Sequence, residues 1–530
     1  MNKPIISVCM IIITTFLLLS CNLKQKADTK SDNADNTPNV LVIMTDQLNP
    51  RVLGCYGGDV KTPNIDELAE DGAMFTAGYC STPYCSPSRA SLVTGKYTHN
   101  HGIASNCNFD QYGAGKPEMA AIGPDDITFD VILNKAGYAT HHYGKWHLAN
   151  TPMDSVPNRS YYPYPDMYNI DVQYTEELTE RFKEVQKLPR EDYMFWQGWY
   201  LPVEQTDEFK NAIQPVVENN QTERAQEYFG KIGKLLLDES ETFEYRIADK
   251  TIDRLNECAK DGKKFSITAS FNVPHDPNVA PDPYYSQIDF NKLKLAENSA
   301  RDPYFNGSWS ARVVDQMGDA GLKEFMRVYY ANVMMIDAQI GRIMKALEDS
   351  GQKDNTIVIF TADHGDMSSA HRMVWKSTGA FYDEVAAIPY IISYPNAIPA
   401  NKKYNFPANI IDFMPTILSF TGQKIPEDVD GVDLAPFLTG EKPLSEAPQY
   451  TICERIPFDR STRGYVIDDI SRAQLMIRDR QYKYSLYRNG YEMLFDMTND
   501  SGELDNLAKN PKYASIKEKL KTQMLKMANK

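Results

Sequence analysis

The amino-acid sequence predicts an α/β fold: a large, mostly parallel sheet flanked by helices, and a smaller C-terminal α+β domain with an antiparallel sheet. Short apolar runs alternate with helical patterns such as those at residues 127–136 and 324–347, which is typical of βαβ units. The apolar runs lie at residues 39–45, 138–143, 265–271 and 357–361. Beyond Gly422, strand-like runs instead follow one another before a final helix. These last elements lie at residues 474–477, 482–487, 492–495 and 514–527.

Length and composition narrow the function classes. The chain has 530 residues, of which 42% are hydrophobic and 24% charged, and its formal net charge is −15. Such a chain buries a sizeable core, and its composition argues against disorder, coiled coils and fibrous repeats. The acidic balance argues against a nucleic-acid partner, because binding to phosphates needs a basic face. An anionic substrate would therefore require cations placed locally at its site.

The first 21 residues are predicted to be a lipoprotein signal peptide. Lys3 precedes a mostly apolar run at residues 5–19, which is shorter than the roughly 20 residues that a membrane span needs. The run ends in Leu-Leu-Ser-Cys21, which resembles a bacterial lipoprotein signal with Cys21 as the lipidated residue. An ordinary secretory signal is the alternative. We expect an exported protein, held at the outer membrane or periplasmic face only by a lipid anchor at Cys21.

Three further segments are expected in the exported chain. Residues 22–38, rich in Lys, Asp, Asn and Thr, are predicted to be a flexible tether. A catalytic domain is expected at residues 39–425 and a C-terminal subdomain at residues 426–530. Residues 151–260 are acidic and aromatic, and they are interpreted either as an insertion over the strand ends or as an ordinary helical layer. Their aromatic residues include Tyr161, Tyr162, Tyr164, Tyr168, Trp196, Trp199 and Tyr200.

The remaining cysteines do not form a recognisable framework. Five of them are scattered along the chain, and this odd number argues against a set of disulfides. The sequence still allows one bridge, for example one that involves Cys80. Cys80 and Cys85 lack the second ligand pair of a zinc site. The five are Cys55, Cys80, Cys107, Cys258 and Cys453.

The segment Cys-Ser-Pro-Ser-Arg-Ala-Ser-Leu-Val-Thr-Gly at residues 85–95 carries the strongest chemical signal. Pro87 suits the first turn of a helix, so Cys85 should lie at or just before a helix N-terminus, where unpaired amides favour anions. Arg89 would add a fixed cation one turn later. The segment resembles the signature of type I sulfatases, in the alkaline-phosphatase-like superfamily: Cys-x-Pro-Ser-Arg, then Thr-Gly. The resemblance implies that a formylglycine-generating maturase converts Cys85 to Cα-formylglycine (3-oxoalanine).

Other parts of the family pattern fall at the predicted strand ends. Asp46-Gln47 resembles the first metal-binding pair of the family, in which many members have two aspartates. Thr-Ala-Asp363-His364-Gly is similar to the second metal-binding segment of the family. The resemblance implies that Asp46, Gln47, Cys85, Asp363 and His364 bind Ca²⁺ or another divalent cation. A mostly oxygen shell of this kind suits a hard cation.

Three segments supply further candidate catalytic residues by resemblance: Gly-Lys145-Trp-His147, Pro-His275-Asp-Pro and Trp-Lys376. The family pattern implies that Arg89, Lys145 and Lys376 help the metal to bind the sulfate group. His275 and Lys376 would protonate the leaving alcohol. His147 would take a proton from the formylglycine hydrate, so that sulfate is released.

Other polar residues near these segments have weaker predictions. His371 could simply shape the loop before Lys376, and Asp366 is expected behind the metal ligands. The histidines predicted to be structural are His99, His101, His141 and His142.

The resemblance implies a sulfuric ester hydrolase that acts on a sulfated carbohydrate or on an aryl sulfate. A phosphonate monoester or phosphodiester hydrolase of the same superfamily is an alternative, because that branch shares the formylglycine and an Asp-Gln metal strand. A third possibility is a non-catalytic, glycan-binding lipoprotein on the same fold. Turnover of aryl sulfate against aryl phosphonate separates the two enzymes, and sulfate release separates both from a binding protein.

Overall fold

The computed structural model divides into two units, Met1–Thr37 and Pro38–Lys530. The signal peptide with Cys21, most of the tether and Tyr161 to Tyr168 lie outside the residues that it describes. No helix within the described part of the chain is long and apolar enough to cross a membrane. The described residues are 37–107, 121–123, 126–148, 183–189, 193–196, 199–207, 209–211, 214, 232–296, 300–376, 379–456, 458–459, 464–465 and 473–529.

A seven-stranded sheet lies at the centre of the second unit. In sheet order its strands are β12 (Lys402–Tyr404), β2 (Ala73–Phe75), β11 (Tyr390–Ser393), β10 (Thr356–Ala362), β1 (Asn39–Asp46), β8 (Phe265–Pro274) and β4 (Ala139–Gly144). Strand β11 runs antiparallel to both of its neighbours, whereas the other pairs are parallel. The predicted mostly parallel sheet is therefore confirmed.

The four apolar runs predicted as strands are the adjacent strands β10, β1, β8 and β4. All eight residues of β1 are buried, as expected for a strand covered on both faces. Thr45 pairs with Ala362 on one side, and Asp46 pairs with Pro274 on the other. Because the strands are parallel and in this register, the polar residues that follow them meet at one edge of the sheet.

The described helices are α1 (Pro63–Glu70), α2 (Cys85–Thr94), α3 (Thr98–His101), α4 (Phe129–Lys135), α5 (Phe243–Asp261), α6 (Tyr284–Gln287), α7 (Trp309–Asp349), α8 (Asp383–Ala386), α9 (Phe413–Phe420), α10 (Ala435–Leu438) and α11 (Ala514–Ala528). Helices α1, α4, α5 and α7 pack against strands of the central sheet. Helix α7 is longer than the predicted segment at residues 324–347, and its backbone leaves helical geometry at Gly318, where φ is 63°. The expected helix at residues 127–136 is α4.

Helix α5 falls within the range assigned to the insertion, yet it packs against β8, β4 and α7 as part of the layer on the central sheet. The hydroxyl of Thr242 caps its N-terminus by accepting from the amide of Tyr245, and Gly262, with φ of 63°, follows its last residue. Its buried positions recur every three or four residues, the spacing of one helix face. They include Ile247, Thr251, Leu255 and Cys258.

The C-terminal region contains the predicted antiparallel sheet, with strands in the order β14 (Thr451–Arg455), β17 (Gln474–Arg478), β18 (Tyr482–Leu486) and β19 (Glu492–Asp496). Helix α11 packs on it, as expected. The other described strands are β3 (Gly78–Tyr79), β5 (Tyr193–Trp196), β6 (Trp199–Glu204), β7 (Gly233–Leu235), β9 (Val279–Pro281), β13 (Ala408–Asn409), β15 (Phe458–Asp459) and β16 (Gly464–Tyr465).

The five scattered cysteines are free thiols in the structure. Cys80 and Cys453 nevertheless touch in the core, with 4.0 Å between their Sγ atoms.

Candidate active site

Cys85 is the first residue of α2, and Tyr84 before it is extended. Every residue of α2 is buried, and Gly95, with φ of 68°, ends the helix. The Cys85 Sγ lies 3.3 Å from Nε2 of His364 and 3.8 Å from Oδ1 of Asp46. The helix N-terminus therefore delivers the thiol to the polar ends of β1 and β10.

Four predicted ligands meet at this edge of the sheet. One ligand atom from each of Asp46, Cys85, Asp363 and His364 lies within 4.8 Å of the others, and all four residues are buried. Asp46 ends β1, the pair Asp363-His364 follows β10, and Cys85 begins α2. The parallel pairing of β1 with β10 brings two of these segments together, and the N-terminus of α2 adds the third.

Arg89 holds the two carboxylates in place. Its Nη2 lies 3.1 Å from Oδ2 of Asp46, and its Nε lies 2.7 Å from Oδ2 of Asp363. Lys145 adds a second cation, with Nζ 2.5 Å from the same oxygen of Asp46. The other oxygen of each carboxylate, Oδ1, lies on the side of the His364 ring, 3.9 Å and 3.7 Å from its Nε2.

The structure gives Arg89 a different place from the predicted sulfate contact. Its Nη1 donates to the carbonyl of Lys145 and to Oγ of Ser270, at 2.8 Å and 2.9 Å, while its other nitrogens bond the carboxylates. The side chain is 3% exposed. Arg89 therefore acts from behind the ligands: it fixes their orientation and offsets their charge.

Gln47 presents an acceptor that lacks a donor. Its φ is 66°, its amide N–H donates to Oδ1 of Asp363 (3.0 Å), and its Nε2 donates to Oδ2 of Asp366 (2.6 Å). Its Oε1 is buried without a hydrogen-bond partner among the described residues. A buried acceptor is rarely left unsatisfied. Together with two carboxylates and an imidazole, this orphan oxygen fits a hard divalent cation.

The charges around the thiol act in opposite directions. Burial raises the pKa of Cys85, but Lys145, Lys376 and His364 lower it well below its usual range. Burial also raises the pKa of Asp46, and the nearby positive charges, Lys145 first among them, nevertheless hold it below its ordinary value. The site therefore stabilises negative charge at Cys85, in a chain whose overall charge is negative.

Lys376 and His275 stand together beside the thiol. Nζ of Lys376 lies 3.0 Å from Sγ of Cys85 and 3.0 Å from Nε2 of His275. His147, just after β4, also forms a side-chain hydrogen bond with Cys85, and burial lowers its pKa. All of the sequence-predicted site residues thus lie in one connected cluster.

The loop that carries Lys376 has unusual backbone geometry. Asp366, in the position expected for it, accepts from the amides of Ser368 (2.6 Å) and Trp375 (3.1 Å) with Oδ1 and so ties the two ends of the loop together. His371 stacks on Tyr382 with ring centroids 3.7 Å apart. Five non-glycine residues of the loop have positive φ, namely Ser368, Ser369, His371, Arg372 and Trp375.

The sequence did not single out three residues that touch the predicted set. Ser270 in β8 donates to the carbonyl of Lys145 (2.8 Å) and accepts from Arg89. Asp276 places Oδ1 3.1 Å from Nδ1 of His275. The Tyr84 ring lies 5.7 Å from Nζ of Lys376. The sequence offered two signals for these residues: Ser270 lies inside an apolar run, and Asp276 follows a predicted site histidine.

Comparison with known proteins decides the family. The profile of the family described as Sulfatase matches residues 38–423, and that of N-sulphoglucosamine sulphohydrolase, C-terminal, matches residues 372–530. The chain belongs to the sulfatase family. This confirms the resemblance read from the sequence, and the protein is accordingly a sulfuric ester hydrolase.

Relatives of this sulfatase match along nearly all of its length. It is 28% identical to an ulvan-active sulfatase of Formosa agariphila (97% of this chain, 85% of the relative). It is 27% identical to an N-acetylglucosamine-6-O-sulfatase of Bacteroides thetaiotaomicron (95% and 87%). The structure is also similar to a phosphonate monoester hydrolase from Silicibacter pomeroyi, with a TM-score of 0.68 and 25% identity over 92% of this chain and 94% of that one.

Proposed function

We propose that this sulfatase removes sulfate from a sulfated carbohydrate with a formylglycine at Cys85 and a calcium ion beside it. The observation that carries the proposal is the convergence of Asp46, Cys85, Asp363 and His364 within 4.8 Å. Beside the same thiol, the hydrogen-bonded pair of Lys376 and His275 would deliver a proton to the leaving group.

Asp46, Gln47, Asp363 and His364 would hold the cation. The orphan Oε1 of Gln47 and the Oδ1 atoms of both aspartates favour a hard ion such as Ca²⁺, although another divalent cation would suit the same donors. A cation bound there supplies a Lewis acid for the sulfate group and its nucleophile. Arg89 and Lys145 contribute by holding Asp46, so the donor set is preorganised.

Cys85 is the residue that a formylglycine-generating maturase would modify. Its Sγ stands in for the oxygen that modification attaches to the same Cβ. The hydrated aldehyde supplies two hydroxyl groups on one carbon, one to attack sulfur and one to allow release of sulfate. The chain's own residues would move the protons: His147 would accept one from the side of Cys85, and the Lys376–His275 pair would deliver one to the leaving oxygen.

The substrate class rests on the relatives. The two described above bear names for action on ulvan and on N-acetylglucosamine 6-sulfate. A phosphonate monoester hydrolase is the second candidate, favoured by Gln47 beside Asp46 and by the similar solved structure. Incubation with a panel of sulfated mono- and oligosaccharides, 4-nitrophenyl sulfate and 4-nitrophenyl phenylphosphonate tests both. We expect faster release of sulfate than of phosphonate. The reverse order, or no release at all, would contradict the proposal.

We further propose export and lipid attachment at Cys21, which the sequence pattern at residues 5–21 supports. In a bacterial host, radiolabelled palmitate should label the wild-type protein and not Cys21→Ser. The matched control is Cys258→Ser, which changes a cysteine of α5 and should leave the labelling intact. Labelling of Cys21→Ser would contradict the anchor.

A further inference from the structure

Asp276 directly follows His275 at the end of β8, and it is 5% exposed. Its Oδ1 lies 3.1 Å from Nδ1 of His275, and its backbone carbonyl lies 2.9 Å from the same nitrogen. Its Oδ2 is buried with no hydrogen-bond partner among the described residues. The carboxylate is therefore aimed at the imidazole.

The contacts on the other ring nitrogen define the tautomer. A lysine side chain ordinarily carries an ammonium at neutral pH, and Nζ of Lys376 lies 3.0 Å from Nε2 of His275. An ammonium has three donors and no acceptor, so Nζ must donate to Nε2 of His275. Nε2 consequently carries the lone pair. Nδ1 carries the hydrogen, which it donates towards Asp276.

We propose that Asp276 is a positioning residue for proton delivery by His275. Its carbonyl fixes the Nδ1–H tautomer, and its carboxylate compensates the positive charge that the ring acquires when Nε2 takes up a proton. The inference rests on the proposed role of His275 as donor to the leaving group. It assigns Asp276 no contact with substrate.

The proton transfer balances without any further reactant. The Nζ–H bond of Lys376 breaks as the Nε2–H bond of His275 forms, which converts the ammonium to an amine and the imidazole to an imidazolium. The Nε2–H bond then breaks as a bond forms from hydrogen to the leaving oxygen, and the ring becomes neutral again. Only during the intermediate stage does the ring bear the charge that Asp276 faces, which is how a carboxylate supports histidine in acid–base catalysis.

A purely structural role explains the geometry less well. Burying a carboxylate is costly unless its oxygens are hydrogen-bonded, and here one oxygen faces only the imidazole while the other lacks a donor in the described part of the chain. The backbone carbonyl alone would satisfy Nδ1–H. The carboxylate adds charge to a hydrogen bond that the main chain already makes.

Asp276→Asn removes the negative charge of the side chain and keeps its shape and the backbone carbonyl, so it tests the charge alone. The probes are a series of para-substituted phenyl sulfates, from 4-nitrophenyl to 4-methoxyphenyl, which differ in how much protonation the leaving group needs. We expect kcat for 4-methoxyphenyl sulfate to fall about 10- to 100-fold, the range that loss of a partner to a functional histidine costs at metal sites. We expect little change in KM, and little change in kcat for 4-nitrophenyl sulfate.

Two further variants sharpen the test. Because Asp276 acts through His275, adding Asp276→Asn to His275→Ala should cause no additional loss. Asp337→Asn is the matched control: this buried acid accepts from the amides of Asn64 and Ile65 at α1, away from the site, and should lower stability while kcat keeps its dependence on the leaving group. Equal losses across the phenyl series in Asp276→Asn, or additive losses in the double variant, would overturn the proposal.

A measurement independent of turnover checks the tautomer. Nitrogen-15 spectra of histidine-labelled protein, assigned with His275→Gln, should show hydrogen on Nδ1 of His275 in both the wild type and Asp276→Asn. Hydrogen on Nε2 in the wild type would refute the inference even if the enzyme is a sulfatase. Conversely, a wild type that hydrolyses no sulfate ester but has the Nδ1–H tautomer would contradict the proposed function and its proton transfer, and would leave the hydrogen-bond assignment correct.

Discussion

Two buried clusters of charge in this protein look alike and behave differently. We call them the strand-end cluster and the Asp383 cluster. The strand-end cluster consists of Asp46, Gln47, Cys85, Arg89, Lys145, His275, Asp363, His364 and Lys376. The Asp383 cluster consists of Arg51, Tyr79, Asp383, Lys483 and Glu503, and it joins the C-terminal sheet to the loops beside the central one.

In the Asp383 cluster the protein supplies donors for both carboxylate oxygens of Asp383. Oδ1 of Asp383 accepts from Tyr79 (2.9 Å) and Lys483 (2.6 Å), and Oδ2 accepts from Arg51 (3.2 Å). In the strand-end cluster, Oε1 of Gln47 has no donor among the described residues, and Oδ1 of Asp46 has the thiol of Cys85 at 3.8 Å. Burial of charge is common to both clusters. Oε1 of Glu503 in the Asp383 cluster lies beside the cation of Lys483. Oε1 of Gln47 has no hydrogen-bond partner among the described residues, so the strand-end cluster retains an acceptor for a group from outside.

The largest expected effect comes from the nucleophile. Cys85→Ser should keep the fold, because the change is small, but it prevents formation of the hydrated aldehyde and should lower sulfate release by several orders of magnitude. Sulfate release together with mass spectrometry of the Cys85 peptide measures this. Cys258→Ser should retain activity. Full activity from protein whose Cys85 remains a thiol would show that the strand-end cluster works by another mechanism.

Breaking the Asp383 cluster should affect stability instead. Lys483→Met leaves the Asp383 carboxylate short of a partner, and loss of one member of a buried ion pair costs about 3–5 kcal/mol of unfolding free energy. Denaturant unfolding measures this loss, and the rate per folded molecule should stay near that of the wild type. A variant that is fully stable but inactive would contradict the distinction between the clusters.

Cation binding should stabilise the folded protein only through the strand-end cluster. At a calcium concentration one hundred times the Kd, the protein should gain about 2.7 kcal/mol of unfolding free energy. Asp363→Asn removes a ligand and should abolish this gain, whereas Asp383→Asn should preserve it. Thermal unfolding with calcium and after chelation gives both values. Equal stabilisation of Asp363→Asn and wild type would place the cation elsewhere.

The smallest expected effect is a difference in acid stability. Burial raises the pKa of Asp383, but the positive charges of Lys483 and Arg51 lower it by more. Its pKa in the folded protein therefore lies below the unfolded value of about 3.9. A lowered pKa contributes stability above the unfolded value, and this is lost as pH falls through the folded one. Asp383→Asn should therefore lose less stability than wild type on acidification below about pH 4. Parallel curves from denaturant titrations would contradict this.

One physical rule predicted the part of the strand-end cluster that follows the strands, whereas the roles of Cys85, Arg89 and Lys376 came from the resemblance to sulfatases. Apolar runs become parallel strands, and the polar residues after them share an edge, which brought Asp46, Lys145, His275 and Asp363 together. The direction of a side chain does not follow from this rule. Arg89 was expected to face the substrate, and it bonds the rear of two carboxylates instead.

The Asp383 cluster was not predicted, because its members carry no local signal. Arg51 and Asp383 are more than three hundred positions apart, and each belongs to a residue type that usually lies at the surface. Their pairing depends on how the C-terminal sheet docks, which residue spacing does not reveal. The extension of α7 beyond the expected helix has a similar cause, since tertiary packing overrides the weak pattern at its start.

The backbone of the loop at residues 366–376 bears on how such an enzyme could acquire new specificity. Non-glycine residues with positive φ persist only where the surroundings hold them, and here one carboxylate, that of Asp366, ties both ends. A mutation that relaxes this loop would also displace Lys376. Directed evolution towards other sulfate esters should therefore accept few changes in the loop, and successful libraries should vary the segments around it.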